Sequence, residues 1–303
     1  MQTDDSHAAA APRPIDLMIV GAPKSGTTSL KSYLAQHPGI FAHPQREFIY
    51  FAHDDEFAQG YERAWQLYLG GAAGGQAVAA KSVAMMYSPL AMRRLREHSP
   101  GARVVLVLRN PVERAYSEFA YARRRGRETA ENFEVAVRRA LVNDLDVLQP
   151  GAYVARGRYV EFVEPILAQF PGGQVSVIAF DSLAADPVSV CRQLYGSLAL
   201  DVDFAPSAER RENPAAGVWS QALLKVTADR SRFGSLRRRL RPLISQRNRQ
   251  RIRSALQRIN DRPLELAPMT EETKRQLLEY YAPWNRRLAH VLGADFAPWS
   301  RLA

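Results

Sequence analysis

IDLMIVGAPKSGTTSLKSYLAQ, residues Ile15 to Gln36, is the stretch that decides the fold. Its apolar run, Ile15 to Val20, has the length of a buried strand. Gly21 to Ser29 then form a turn punctuated by Gly21, Pro23 and Gly26, and Leu30, Tyr33 and Leu34 recur at helical spacing. A strand, a glycine-bearing loop and a helix start make an anion cradle, because the first helical N–H groups lack intrahelical partners and the helix dipole is positive there. Lys24 adds a point charge, and Thr27, Thr28 and Ser29 add hydroxyl donors. The segment reads as a nucleotide-phosphate site; taken alone, a strand-turn-helix with an exposed lysine is the plainer alternative.

The position of the lysine separates two kinds of loop. A Walker A loop places lysine directly after its second glycine, followed by a Ser or Thr that holds magnesium. Here Thr27 follows Gly26, and Lys24 stands two places before that glycine. The run PKSGTTSL resembles the 5′-phosphosulfate loop of sulfotransferases, which use 3′-phosphoadenosine-5′-phosphosulfate (PAPS) and no metal.

A second stretch, VVLVLRNPVERAYSEFAYARRRG (Val104 to Gly126), puts Arg109 at the end of a β-branched strand and Ser117 on the next helix, capped by Asn110-Pro111. Ligands of open α/β sheets bind at the carboxyl ends of strands, so Arg109 is aimed at the same crevice as the loop. An arginine fork suits phosphate geometry. The two motifs together resemble the PAPS-dependent sulfotransferase family, nearest in pattern to its heparan-sulfate-type and bacterial branch. The likeness covers about residues 15–200 and resumes weakly in LLEYYAPWNRRLAHVLGADFAPW.

That resemblance implies a P-loop-like, doubly wound parallel sheet flanked by helices, and transfer of a sulfuryl group from PAPS to a hydroxyl or amine with release of 3′,5′-ADP. It assigns the 5′-phosphosulfate to Lys24, Ser25, Gly26, Thr27, Thr28 and Ser29, and the 3′-phosphate to Arg109 and Ser117. It also assigns the catalytic base. The family's Lys-Glu followed by an aromatic pair matches Arg46-Glu47-Phe48-Ile49-Tyr50-Phe51, with arginine in place of lysine and Ile49 where many relatives carry histidine. A carboxylate taking the acceptor proton is sound chemistry; a surface pair between Glu47 and Arg46 is the alternative. Lys81-Ser82 resembles a Glu-Lys-Thr/Ser element in which Ala80 replaces the glutamate, and Lys81 is expected either to touch sulfate or acceptor or to be an ordinary solvated lysine. Arg211, with Arg210 and Asn213, is placed in the later loop that closes the adenine side by position in the chain, without a residue match.

Element patterns along the rest of the chain support the α/β reading. Helices are expected over 56–69, 89–98 (capped by Ser88 before Pro89), 112–124, 131–149, 158–170, from the start at Asp186-Pro187, and over 271–292 with an interruption at Pro283-Trp284. Strands are expected up to Lys81, over Arg103–Leu108 (central and parallel) and over Gln174–Phe180. The organisation read from this is a flexible tail over 1–14 and one domain over 15–303. Its PAPS-binding core covers 15–200, and a helical, arginine-rich layer covers 201–303.

Composition sets outer bounds. A formal charge of +10 and a pI near 9.9 favour an anionic partner. The single Cys191 excludes an internal disulfide and reads as a buried apolar residue. No run approaches the ~20 apolar residues of a membrane span, and Asp4 and Asp5 stand where a signal peptide carries positive charge. A cytoplasmic setting is the expectation. Arg230 to Arg258 hold eleven arginines, no acidic residue and interleaved Leu and Ile. This segment reads as a solvated helix face, an anionic-acceptor or carrier surface, or a membrane-surface contact; without stacking aromatics, nucleic acid is not expected. The acceptor class stays open among small molecules, lipids and saccharides, and the oligomeric state is open. On residues alone two rivals also remain: a P-loop kinase-like phosphotransferase and a non-catalytic basic polyanion-binding protein.

Overall fold

A computed structural model describes residues 11–143, 145–207, 266–293, 296 and 299. Five parallel strands form the sheet: β1 (Leu17–Gly21), β2 (Ile40–Ala42), β3 (Ala77–Lys81), β4 (Arg103–Leu108) and β5 (Val175–Ala179), in the order β2-β3-β1-β4-β5. Leu17 pairs with Ala79 on one side and with Arg103 on the other, so β1 is the middle strand and β4 its inner neighbour. From β1 the chain runs out to the edge strand β2, returns inward to β3 beside β1, and then crosses to β4 and β5 on the other side. That reversal leaves a crevice at the carboxyl ends of β1 and β4, where such sheets take ligands.

The unbroken apolar strands follow from burial on both faces. Met18, Val20, Val104, Leu106 and Leu108 enter one core with Met92, Leu95, Val160, Val163 and Leu288. Leu17, Ile19, Val105 and Val107 enter a second core with Leu30, Leu34, Val190, Cys191 and Leu194. The covering helices are α1 (Thr27–Leu34), α4 (Pro89–His98), α7 (Val160–Gln169), α9 (Pro187–Ser197) and the C-terminal α10 (Glu271–Leu292). A third cluster joins α5 (Pro111–Arg124), α6 (Phe133–Asn143) and α10 through Phe119, Phe133, Leu277 and Tyr281. The helix starts at Ser88, Asn110 and Asp186 carry the side-chain caps read from sequence, each followed by proline.

Several elements differ from expectation. The helix expected over 56–69 is broken into α2 (Asp54–Phe57), α3 (Tyr61–Ala64) and a π turn (Trp65–Leu69), because Gly60 lies at φ 84° and ends the first piece. The helix expected over 131–149 stops at Asn143; Asp146 instead organises a turn by accepting from the Leu148 amide at 2.8 Å. A short helix, α8 (Phe180–Ala185), follows β5 directly, and Ile40–Ala42 is an edge strand that was not expected. α10 runs through Pro283 without interruption. Tyr281, Asn285 and Leu288 are buried on either side of the proline, and Arg287 and Trp284 bind Glu164 and Glu161 of α7, so packing holds both halves in line. Within the expected tail, Arg13 donates to the Ala73 carbonyl and its own carbonyl accepts from Tyr61; residues 1–10 lie outside the described residues. Arg210, Arg211, Asn213 and the segment Arg230 to Arg258 also lie outside them.

Candidate active site

The loop after β1 is held to the neighbouring strand by the Ala22 amide, which donates to the Val107 carbonyl at 2.8 Å. Lys24 and Gly26 both take left-handed backbone (φ 67° and 81°), which turns the chain tightly into α1. Gly26 caps α1 without any side-chain hydrogen bond, so the first-turn N–H groups stay available. A Cβ on Gly26 would sit 3.2 Å from the Phe180 ring and 3.3 Å from Leu183, so glycine also lets the start of α8 close against the loop. Ser25 is fully buried, and its Oγ has no hydrogen-bond partner among the described residues. Thr27 is buried, and Thr28 and Ser29 are half-buried.

Lys24 sits among like charges. Its ammonium lies 4.4 Å from the centre of the Tyr121 ring, and the Arg46 and Arg125 guanidiniums approach the same ring at 5.4 and 5.3 Å. Burial, then Arg46 and Arg124, with Arg109 adding to them, push Lys24 down to about 8 from 10.5, against the opposing pull of Glu118. Positive charge gathered in this way suits an anionic ligand.

Glu47 is fixed on the opposite wall. Lys81 donates to its Oε1 at 2.5 Å and the Val83 amide to its Oε2 at 3.0 Å. The Lys81 side chain is 1% exposed and that of Glu47 28%, so the carboxylate alone reaches the crevice. Lys81 is therefore not a solvated lysine, and Glu47 pairs with it and not with Arg46. Burial lowers Lys81, Glu47 opposes that, and Arg46 adds to the lowering. Arg46 thus acts on both Lys24 and Lys81, which brings loop and carboxylate to one site. The segment before Glu47 is stitched along the end of β3: the Phe48 amide donates to the Lys81 carbonyl at 2.7 Å, and the Lys81 amide donates to His43 Nε2 at 3.2 Å. His43 is buried and pushed down to about 3, by burial first and then by Lys31 and Lys81, so it is a neutral acceptor.

Arg109 stands one residue past β4. Its Nε and Nη2 both donate to Glu113 Oε2, at 3.1 and 2.9 Å, and its guanidinium lies 4.8 Å from the centre of the Phe180 ring. The Tyr159 hydroxyl donates to the Arg109 carbonyl at 2.9 Å. Ser117 is half-buried two turns along α5. Below the site, Glu118 takes the fully buried Arg114 at 2.5 Å and also bonds Arg156. This carboxylate anchors α5 to the 153–156 segment, where Arg114 also bonds the Tyr153 carbonyl.

Among the residues here that were not singled out from sequence are Tyr121, Arg124, Tyr159 and Phe180. The first two had a visible signal, since Ser117, Tyr121 and Arg124 recur at i, i+4 and i+7 on one face of α5. Tyr159 and Phe180 had none, because their contacts cross from other elements.

A doubly wound sheet with an uncapped helix start and a cationic loop at its switch point defines a nucleotide-phosphate α/β fold. Residues 14–213 match the Sulfotransferase domain family, and the chain belongs to that family. The solved sulfotransferase from Alicyclobacillus acidocaldarius superposes with a TM-score of 0.69 at 26% identity, over 96% of this chain and 100% of that one. The fold is the P-loop-like sulfotransferase fold. Heparan sulfate glucosamine 3-O-sulfotransferase 6 of Homo sapiens is 24% identical over 282 residues, covering 92% of this chain and 72% of that protein. Bifunctional heparan sulfate N-deacetylase/N-sulfotransferase 4 of Mus musculus is 26% identical over 215 residues, 68% of this chain. The aligned part is only 24–27% of the length of such bifunctional relatives.

Proposed function

We propose that the chain transfers a sulfuryl group from PAPS to a hydroxyl or amine of an acceptor, leaving 3′,5′-ADP. The observation that carries this is the juxtaposition of a cation-rich loop, Lys24 with Arg46 and Arg124 around it, and a carboxylate, Glu47, clamped by Lys81. PAPS supplies an activated sulfuryl group on a nucleotide that carries phosphate at two positions. The loop N–H groups, Lys24 and the hydroxyls of Ser25 to Ser29 hold the 5′ end, and the unpartnered, buried Ser25 Oγ fits a polar ligand. Arg109 and Ser117 hold the 3′-phosphate. To do so Arg109 leaves Glu113, a pair whose glutamate is 54% exposed and therefore weak beside a charge-assisted phosphate fork.

Glu47 takes the acceptor proton on its solvent-reaching carboxylate, while Lys81 and the Val83 amide fix its two oxygens. A base held this way needs no reorganisation at the moment of transfer. Lys24 keeps positive charge where negative charge grows on the oxygen that sulfur leaves. The names of the heparan-sulfate relatives support a saccharide as the acceptor class, and Arg46 and Arg125 suit an acceptor that is itself anionic.

Calorimetric titration with 3′,5′-ADP, and separately with ATP and Mg²⁺, tests the reading. Micromolar or tighter 3′,5′-ADP binding that is lost in Arg109→Ala supports it. Clear Mg-ATP binding without 3′,5′-ADP binding overturns it and restores the kinase.

A further inference from the structure

We infer that Tyr159 is a positioning residue that fixes the spacing between the two phosphate subsites, the β1–α1 loop and the end of β4. The inference rests on the PAPS reading. Those subsites belong to different strands, and a ligand with two phosphates gains over a ligand with one only if their separation is held in advance.

Tyr159 is the side chain placed to hold it. It is 1% exposed and stands just before α7, on neither of the elements it joins. Its hydroxyl donates to the Arg109 carbonyl at 2.9 Å, and so pins the backbone that carries the guanidinium. The same hydroxyl lies beside the buried Ser25 of the loop. One rigid ring thus pins the Arg109 backbone by a hydrogen bond and abuts the loop at Ser25.

The ring itself is backed by the C-terminal segment. Trp299 lies 6.1 Å from it, centre to centre, and the Trp299 carbonyl accepts from Asn285 of α10 at 2.8 Å. Two residues before Tyr159, Gly157 leaves room for Tyr281 of α10: a Cβ there would fall 2.6 Å from the Tyr281 hydroxyl, which donates to the Val154 carbonyl. Helix α10 thus holds the Tyr159 segment from behind, far along the chain from either phosphate motif. The aligned part of the family ends before this helix, at residue 213.

The test compares 3′,5′-ADP, 5′-AMP and 3′-AMP on the wild type and on Tyr159→Phe by calorimetry. The single phosphates each report one subsite, and the gain of 3′,5′-ADP over the better of them reports the spacing. Tyr159→Phe is expected to cut that gain roughly fivefold to tenfold, the size of one lost net hydrogen bond, with both monophosphates held within about twofold. A loss shared equally by all three ligands marks a merely structural role and overturns the inference, as does a gain that survives intact. A wild type with no preference for 3′,5′-ADP overturns the PAPS reading first, and the bridge with it. Should Tyr159→Phe melt below the assay temperature, Asn285→Ala frees Trp299 behind the ring without touching the hydroxyl. It is expected to lower the same gain, and an unchanged gain in that folded variant overturns the proposal.

Discussion

On the proposed reading, Lys24 makes ligand binding a proton-linked event, and the size of the effect follows from its surroundings. In the free protein, burial and the charges of Arg46 and Arg124 hold it near 8, against 10.5 for an ordinary lysine. A phosphate seated on the loop supplies the missing counter-charge and returns the group toward 10.5. The bound state then favours the protonated lysine, so affinity is fully present below about 8 and is lost as pH rises through that value. At pH 8.5 about a quarter of free Lys24 is protonated against nearly all of it when bound, so binding takes up about three-quarters of a proton. At pH 7 the uptake is about a tenth. Between pH 7.5 and 9.5 the affinity for 3′,5′-ADP falls about 20-fold, or ~1.8 kcal/mol. The ligand's own phosphates, with a second pKa near 6, have finished titrating by then.

The assay is calorimetry at pH 8.5 in two buffers of different ionisation enthalpy, plus dissociation constants from pH 7.5 to 9.5. Lys24→Arg keeps the charge at every pH and is expected to flatten the curve. Arg46→Ala removes the second-largest cause of the depression and is expected to move the fall to higher pH. Buffer-independent heats at pH 8.5, or a proton uptake that persists in Lys24→Arg, refute the argument.

Other consequences are more direct. Glu47→Gln is expected to lower kcat by ~10²–10⁴ with 3′,5′-ADP affinity within about twofold, and a kcat within threefold of wild type would rule out the base. Gly21→Ala puts a methyl group 2.2 Å from Met86 Sδ and is expected to cost about 1–3 kcal/mol; an unchanged Tm in a thermal melt contradicts this. His43, held near 3 in the native state, is protonated in the unfolded chain below about 6.5. Its contribution to stability is therefore present above pH 6.5 and is lost as pH falls from there toward 3. His43→Gln is expected to shrink that part of the acid limb of Tm against pH, and an identical limb counts against it.

The motifs most legible in the sequence were those whose physics is local. The loop of Lys24 to Ser29, the strand Arg103–Leu108 and the proline-marked caps at Ser88, Asn110 and Asp186 each depend on residues within about four positions. Errors arose where a local pattern was overruled. Gly60 broke one amphipathic run, the side chain of Asp146 diverted another, and packing on α7 carried α10 straight through Pro283. Lys81 is the sharpest case. As a strand-end lysine its spacing cannot distinguish solvent from burial, and only the return of the chain 34 residues away brings Glu47 to cover it.

By itself, then, the sequence determined the class of sheet, the glycine-turned loop at its switch point and the strand-end arginine, because backbone dihedrals, capping and apolar periodicity are short-range properties. Tertiary structure alone decided which groups face one another: Lys24 against Arg46 and Arg124, Lys81 against Glu47, and the Tyr159 hydroxyl against the Arg109 carbonyl. Those pairings span different strands and helices. Electrostatics depends on distance and burial, neither of which a linear spacing carries, so the protonation and poise of this site exist only in the folded chain.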